Sequence, residues 1–342
     1  MFGYDLGIDL GTSSTIIYMS EKGIVLNEPS YVAYNTQNGK MMCAGKRAYE
    51  MIGREPQNVA VCQPIIDGVI SDFSITEQML RWFIQQIVGN TIFKPRVMVS
   101  MPSMITDVER RTIVSVITSA GARKVCLIEE PLAAAMGAGV EITNPSGTMI
   151  VDVGGGTTDI AVITMGSMAL TETVKTAGLD FDEAIQKYVR RRWGIQIGMM
   201  TAEEIKFEIG CAVARSEELY MSAKGRDVLT GLPRSVEISS SNVLEALEEP
   251  LETIRDAIHR MFERTSAQLV GDISQKGIIL TGGSSLMYGM AQLVREETGI
   301  DTVIAEDPVS CVARGTGNAL KNFSMLREYG YEFKTKEDVR VG

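Results

Sequence analysis

The chain carries a single histidine, His259, among its 342 residues. It lies in a charged stretch with helical spacing and reads as structural. Histidine-based triads and histidine metal sites are thereby excluded. The five cysteines, Cys43, Cys62, Cys126, Cys211 and Cys311, stand singly, with no CxxC pair. Neither a disulfide framework nor a zinc site is expected from them; they read as small core residues. No apolar run approaches the roughly 18–20 residues of a membrane span. The start, Met1-Phe2-Gly3-Tyr4-Asp5, lacks a basic segment and a cleavage site, so no export signal is expected. GxxxxGK(S/T) is missing, which excludes a Walker-type NTPase. Positive charge is short as well: 33 Lys and Arg against 43 Asp and Glu leave a net charge of -10. Nucleic acid is therefore not an expected partner. A polyphosphate is repelled overall too, so any attraction must be local, from backbone N–H groups and a metal ion.

What is present is a globular composition, 45% hydrophobic and 22% charged. The length suits two domains of roughly 150 residues. Two stretches organise it: Asp9-Leu-Gly-Thr-Ser-Ser-Thr15 and Asp152-Val-Gly-Gly-Gly-Thr-Thr-Asp159. Each follows an apolar run that reads as a buried strand, Leu6-Gly7-Ile8 or Met149-Ile150-Val151. Each turns on glycine and hydroxyl residues, then re-enters an apolar run. Strand, Asp-x-Gly turn, strand is thus written twice, and the pair reads as two jaws on one polyphosphate.

Around the first stretch the spacing predicts a meander over 4–10, about 15–20 and 23–27, then a small insertion to residue 64. Helices are expected over 72–88 and 106–119, the second opened by the capping pattern Thr106-Asp107-Val108-Glu109. Strands are expected at 96–101 and 124–128, and a helix from Glu129-Glu130-Pro131. The second half repeats the plan, with strands near 148–153, 159–165 and 168–175. Its helices are placed near 179–192, 201–215 and 241–266, the last broken at Pro250, with a small β pair at 227–229 and 235–238. A strand at 277–280 leads through Thr281-Gly282-Gly283-Ser284-Ser285 straight into a helix to about 297. Strand 301–304 and helix 308–326 follow, and the charged tail from Glu328 is expected to be loosely held. Such alternation is α/β, with helix-covered sheets and, from the duplication, a cleft between the halves.

The motifs carry chemistry of unequal specificity. Gly11 lets a phosphate approach the backbone, and Thr12, Ser13 and Ser14 offer hydroxyls and successive N–H groups. Asp9 is poised for a hydrated cation or a water, although Asp-x-Gly-Thr also occurs in plain hairpin turns. Gly154-Gly155-Gly156 at a strand end costs folding entropy, and close approach of a ligand explains it better than a turn. Asp152 would face Mg2+ through water. Gly282 and Gly283, followed by Ser284 and Ser285, suit a phosphate or a base edge at a helix start, yet alone make a tight turn. Glu203-Glu204-Ile205-Lys206 is either a solvated helix face or a holder of ribose. Glu130 stands between the loops, where a carboxylate orients an attacking water; Glu129 reads as an acid complementing a helix dipole.

Together the two loops, Glu130-Pro131-Leu132-Ala133-Ala134-Ala135, Thr281-Gly282-Gly283 and Ala313-Arg314-Gly315-Thr316-Gly317 resemble the actin, sugar-kinase and heat-shock chaperone ATPase superfamily. More narrowly, the chain resembles bacterial actins of the MreB/Mbl type. Ile70-Ser71-Asp72-Phe73, Phe93-Lys94-Pro95-Arg96-Val97, Glu208-Ile209-Gly210, Thr230-Gly231-Leu232-Pro233 and Ala305-Glu306-Asp307-Pro308 carry that resemblance, which runs from Gly7 to about Leu320.

The resemblance implies a duplicated ribonuclease-H-like, actin-like ATPase fold with ATP and Mg2+ in the cleft. It implies four subdomains: 1–31 with 65–141 and 315–342; 32–64; 142–180 with 245–314; and 181–244. Glu130 and Thr157 would position the hydrolytic water, and Asp9 and Asp152 would surround Mg2+. Thr12, Ser13 and Ser14, with Gly154, Gly155, Gly156 and Thr157, would hold phosphate. Glu203, Glu204, Ile205 and Lys206, with Gly282, Gly283, Ser284, Ser285 and Leu286, would frame ribose and adenine. The family usually reads Thr-Ala-Asn where Thr12-Ser13-Ser14 stands, so Ser14 lacks an amide. It usually has Glu where Asp159 stands, and Gly-Ala where Ser284-Ser285 stands.

The implied function is a weak ATPase that polymerises into paired protofilaments, cytoplasmic and peripheral at the inner face of the membrane. Cell-wall elongation membrane proteins are the implied partners, and maintenance of rod shape the implied role. Ile92-Phe93 falls where the family carries a membrane-inserting loop. Each such side chain is worth ~1.5–3 kcal/mol when fully buried, so a filament presenting many of them gains by avidity. A sugar or carboxylate kinase of the same superfamily is the alternative, but no catalytic Asp of a substrate pocket can be placed. A chaperone would need a substrate-binding domain after the ATPase.

Overall fold

The computed structural model describes residues 5–89, 94–335, 337 and 338; Ile92 and Phe93 lie outside them. Its frame is two five-stranded sheets of the same order. In the first, the neighbours run Gly23–Pro29, Ser14–Met19, Asp5–Leu10, Arg96–Met101, Lys124–Glu129. In the second they run Ser167–Val174, Thr158–Thr164, Thr148–Val153, Ile278–Thr281, Thr302–Ile304. In both, three consecutive strands pair antiparallel, and two later strands add in parallel beside the first. Parallel addition needs long crossovers, which in the first half are the helices Phe73–Val88 and Asp107–Ala120. Local chemistry starts these helices. Asp72 accepts the Ile75 N–H at 2.9 Å, and Thr106 and Glu109 form the expected capping box.

Each half also carries a small sheet of its own. In the first it joins Met41–Ala44, Val32–Asn35 and Val59–Cys62; in the second, Ile195–Gln196, Tyr220–Asp227 and Pro233–Ser239. The halves meet on a shared floor, where helix Glu130–Gly137 packs against helix Cys311–Lys321. Ala133, Ala134 and Ala135 are fully buried there. A Cβ on Gly315 would stand 1.7 Å from the Ala133 carbonyl oxygen, and one on Gly137 1.8 Å from that of Cys311. Glycine at these two positions is what brings the helix backbones into contact. One core cluster then draws on both sheets, Met98, Cys126 and Ile128 from one and Ile150, Ala161 and Ile163 from the other.

Several expected elements differ. The helix expected to 215 is Met199–Ile209; beyond Gly210 the chain turns back, with the Ala212 N–H bonded to the Tyr288 carbonyl at 2.7 Å. The break in the long helix falls at Leu247, between Ser240–Ala246 and Glu248–Arg264. Pro250 sits in the first turn of the second piece, where its missing N–H costs little. The small β pair is a longer hairpin, Tyr220–Asp227 with Pro233–Ser239. The Gly282 turn enters a short 3-10 helix, Gly283–Leu286, and the α-helix begins only at Met290. The tail is tied down as far as Lys334, which exchanges backbone hydrogen bonds of 2.9 and 2.7 Å with Val125. Its aromatic residues do the work, since Phe333 packs on Phe323 at 4.5 Å and the Tyr331 hydroxyl donates to Glu129 at 2.6 Å. Glu129 is therefore occupied by the tail, and its side chain makes no cap bond to the helix it precedes. The expected subdomain boundaries after residues 180, 244 and 314 fall inside helices Gly178–Trp193, Ser240–Ala246 and Cys311–Lys321.

Candidate nucleotide site

Between the two large sheets lies a cavity of about 280 Å³, walled by both Asp-x-Gly turns. The first turn follows from the pairing of Leu10 with Thr15, closed by the Gly11 N–H on the Ser14 carbonyl at 3.1 Å. The second follows from Val153 with Thr158, closed by the Gly154 N–H on the Thr157 carbonyl at 3.0 Å. Turn length, closing bond and place in the sheet are the same in both halves.

The cavity brings together Asp9, Thr12, Ser13, Ser14, Glu130, Asp152, Gly154, Gly155, Gly156 and Thr157. Farther along it are Glu203, Lys206, Gly282, Gly283, Ser284 and Leu286. Three expected residues are not among its walls. Glu204 is exposed and Ile205 fully buried in the core, because on a helix 203 and 206 share a face that 204 and 205 do not. Ser285 is buried, its hydroxyl donating to the Gly282 carbonyl at 2.6 Å. Phe207, Pro308, Val309 and Val312 also line the cavity. No local signal marked them, although Val312 immediately precedes the Ala313-Arg314-Gly315 stretch.

The glycines of the second turn have a specific neighbour. A Cβ on Gly155 would meet Ser13 Oγ at 2.0 Å, and one on Gly156 would meet Thr12 Oγ1 at 2.6 Å. What approaches these backbones in this structure is the facing turn, where the sequence suggested a ligand. Two carbonyls of the glycine turn are engaged: Gly154 accepts from the Gly178 N–H at 3.2 Å and Ser284 Oγ at 2.7 Å, Gly155 from the Leu179 N–H at 2.8 Å. A turn whose carbonyls are spoken for presents its N–H side to an anion at least cost. Lys206 is held too, its Nζ donating to Asp182 and to the Gly178 carbonyl, both at 2.9 Å.

The electrostatics are one-sided. Glu130, Asp152 and Asp159 are buried, with Asp9 half-buried beside them. Burial, then the charge of Asp152, pushes Asp9 up to about 7, against a weaker pull from the Ser100 hydroxyl. Burial also pushes Asp152 up to about 7, although Thr281 Oγ1 donates to it at 2.7 Å. Glu130 is raised well above its ordinary value by burial and by the three aspartates. Asp159 accepts from Thr173 Oγ1 at 2.6 Å, yet its buried Oδ2 has no partner. Buried carboxylates that repel one another call for a cation. Among the described residues no group of three His, Cys, Asp or Glu side chains is close enough to hold a metal directly. A cation that keeps most of its waters fits this donor set, and that is the habit of Mg2+. The site thus offers backbone donors and hydroxyls for phosphate, carboxylates for a hydrated cation, and apolar walls for a flat ring.

Known proteins resemble this chain in sequence and in overall structure. The sequence model of the MreB/Mbl protein family matches residues 3–328. The chain is 46% identical over 331 residues to the cell shape-determining protein MreB of Escherichia coli (strain K12), covering 95% of each. It is 45% identical over 327 residues to the cell shape-determining protein Mbl of Bacillus subtilis (strain 168), covering 95% of this chain and 98% of the relative. Among solved structures, MreB5 of Spiroplasma citri bound to ADP matches with a TM-score of 0.91 at 35% identity, covering 95% of this chain and 98% of that one.

Proposed function

This chain belongs to the MreB/Mbl family, and on that premise we propose that it is an actin-like cytoskeletal ATPase of the cell-shape system. It binds ATP in the cavity between its halves, polymerises into paired protofilaments, and lies at the inner face of the cytoplasmic membrane. There it works with cell-wall elongation proteins to keep the cell a rod. ATP binding closes the halves and favours assembly, and slow hydrolysis in the polymer weakens the lattice. The observation that carries this reading is the pair of matching turns, set on matching sheets across one cavity that also holds Glu130. The kinase alternative finds no support among the relatives.

In this reading Thr12, Ser13 and Ser14 hold phosphate from one side, Gly155, Gly156 and Thr157 from the other. Glu203, Gly283, Ser284 and Leu286 frame ribose and base. Glu130 and Thr157 fix a water in line with the terminal phosphorus, and catalysis is positioning and charge neutralisation more than covalent chemistry. Asp9 and Asp152 would hold Mg2+ through its waters, and when bound it would supply charge neutralisation for the phosphates. The four subdomains belong to the same proposal, as does Ile92-Phe93 as membrane anchor. No described helix is long and apolar enough to cross a membrane, so attachment would be peripheral.

Electron microscopy of the purified protein with ATP and Mg2+ on a lipid monolayer tests the whole reading. Paired straight filaments on lipid are expected, with phosphate released into solution. The Ile92→Ser, Phe93→Ser double variant should still form filaments but leave the lipid. Protein that binds ATP and stays monomeric under all these conditions would overturn the cytoskeletal assignment.

A further inference from the structure

A second set of contacts joins the halves at the mouth of the cavity, away from the two turns. It starts from Tyr31 and Tyr49 in the small insertion of the first half. Their rings meet edge to face, with centroids 5.2 Å apart and planes at 64°. The Tyr31 hydroxyl lies 3.8 Å from Met199 Sδ, and Met199 packs on the insertion's own core of Tyr31, Ala33, Cys43, Ala48 and Val59. Met199 opens the helix Met199–Ile209 in the opposite half. One turn along the same face stands Glu203, whose Oε2 accepts from the Tyr49 hydroxyl. Glu203 also lines the cavity.

We infer that Tyr49 is a positioning residue of the nucleotide site, its hydroxyl fixing the Glu203 carboxylate at the cavity rim for a ligand's sugar hydroxyls. This rests on the nucleotide reading above. A glutamate side chain at a half-exposed rim loses rotamer freedom when it meets a ligand. A hydrogen bond from the facing wall removes part of that cost in advance, which is preorganisation. Burial and the bond to Glu203 both push the Tyr49 phenol's pKa up, so it remains a donor through the neutral range. A carboxylate has two oxygens and about four acceptor positions; with one oxygen on Tyr49, acceptor capacity remains for a sugar hydroxyl. Because donor and acceptor sit in opposite halves, the sugar contact and the closed position of the insertion become one interaction.

Tyr49→Phe removes the hydroxyl and keeps the ring on Tyr31. Binding and steady-state hydrolysis of ATP, 2′-deoxy-ATP and 3′-deoxy-ATP separate positioning from mere docking of the insertion. Wild type should prefer ATP to at least one deoxy analogue. In Tyr49→Phe that preference should shrink, with KM for ATP raised about tenfold, as for loss of one hydrogen bond to a charged group, and kcat unchanged. Glu203→Gln should lose the preference, and adding Tyr49→Phe to it should cost nothing further. Tyr31→Phe should keep the wild-type preference. A Tyr49→Phe protein with wild-type KM overturns the inference, as does one that weakens ATP and both analogues equally, because that is docking alone. A wild-type protein that binds no ATP overturns the nucleotide reading and this inference together. One that binds ATP without distinguishing the analogues overturns only this inference.

Discussion

The turns at Asp9–Thr15 and Asp152–Asp159 close on equivalent hydrogen bonds, from Gly11 to Ser14 and from Gly154 to Thr157, yet they carry opposite side-chain loads. The first presents hydroxyls at Thr12 and Ser13. The second presents Gly155 and Gly156, and a Cβ on either would run into those hydroxyls. The first is braced by segments that follow the meander: Ser30 Oγ donates to the Gly11 carbonyl at 2.7 Å, and the Gly68 N–H donates to Thr12 Oγ1 at 2.9 Å. The second is braced by the start of helix Gly178–Trp193 and by Ser284. A repeated backbone that faces its own copy cannot keep the same side chains on both faces of a narrow cavity. One copy carries the groups, and the other makes room for them.

Four experiments press on that difference. The largest effect is expected at Glu130, which belongs to neither turn. Glu130→Ala should slow hydrolysis by roughly 10²–10³-fold, within the range for an oriented proton-transfer group, while ATP still binds. Single-turnover phosphate release measures it, and a wild-type rate would remove Glu130 from the chemistry.

Next come the glycines. Gly155→Ala places a methyl on Ser13 and should weaken ATP binding by about tenfold or more, on the order of an overpacked contact. Gly154→Ala, whose Cβ would meet only the Thr157 carbonyl oxygen at 3.2 Å, should stay within about threefold of wild type. Isothermal titration compares the two, and equal losses would mean that the glycines serve the ligand alone.

The carboxylates give a smaller, pH-dependent effect. Asp9 and Asp152 titrate at about 7 in the fold, against an ordinary value of about 3.9 for an unfolded aspartate. Between those values the folded state holds more protons than the unfolded chain, so stability falls as pH rises from about 4 to about 7. Thermal unfolding of the ligand-free protein should show that decline, and Asp9→Asn or Asp152→Asn should flatten it. An undiminished slope in both variants would mean that neither carboxylate carries the decline. The smallest effect is expected from Ser14→Asn, which supplies the amide usual in the family. A change of about two- to threefold in ATP affinity fits the exchange of one phosphate donor, a hydroxyl, for another, an amide, and titration calorimetry would resolve it.

The strands of the two large sheets were legible, though not their order in the sheet, because buried parallel and meander strands leave near-continuous apolar runs, and 148–153 is buried at every position. Helix starts were legible where a capping side chain is local, as at Thr106. Ends were legible at Val88 and Ala120, which a glycine follows, but not everywhere: Gly210 stops a helix that apolar spacing alone would continue, and the tail is held by Tyr331 and Phe333 against distant partners. The Glu203–Lys206 segment shows the same limit within the site. The motif joins four residues, but helical geometry turns two of them away from the cavity.

The sequence by itself determined the duplication, the two Asp-x-Gly turns and the acidic residue between them, because glycine, aspartate and apolar runs act over a few neighbouring positions. It also carried the family. Only the tertiary structure decided that Gly155 and Gly156 answer Ser13 and Thr12, that Asp9, Glu130 and Asp152 line one cavity, and that Tyr49 reaches Glu203 across the cleft. Those contacts join residues from 22 to more than 140 positions apart. They arise from two halves brought together on a floor of glycine and alanine, a packing event that no local signal in the chain encodes.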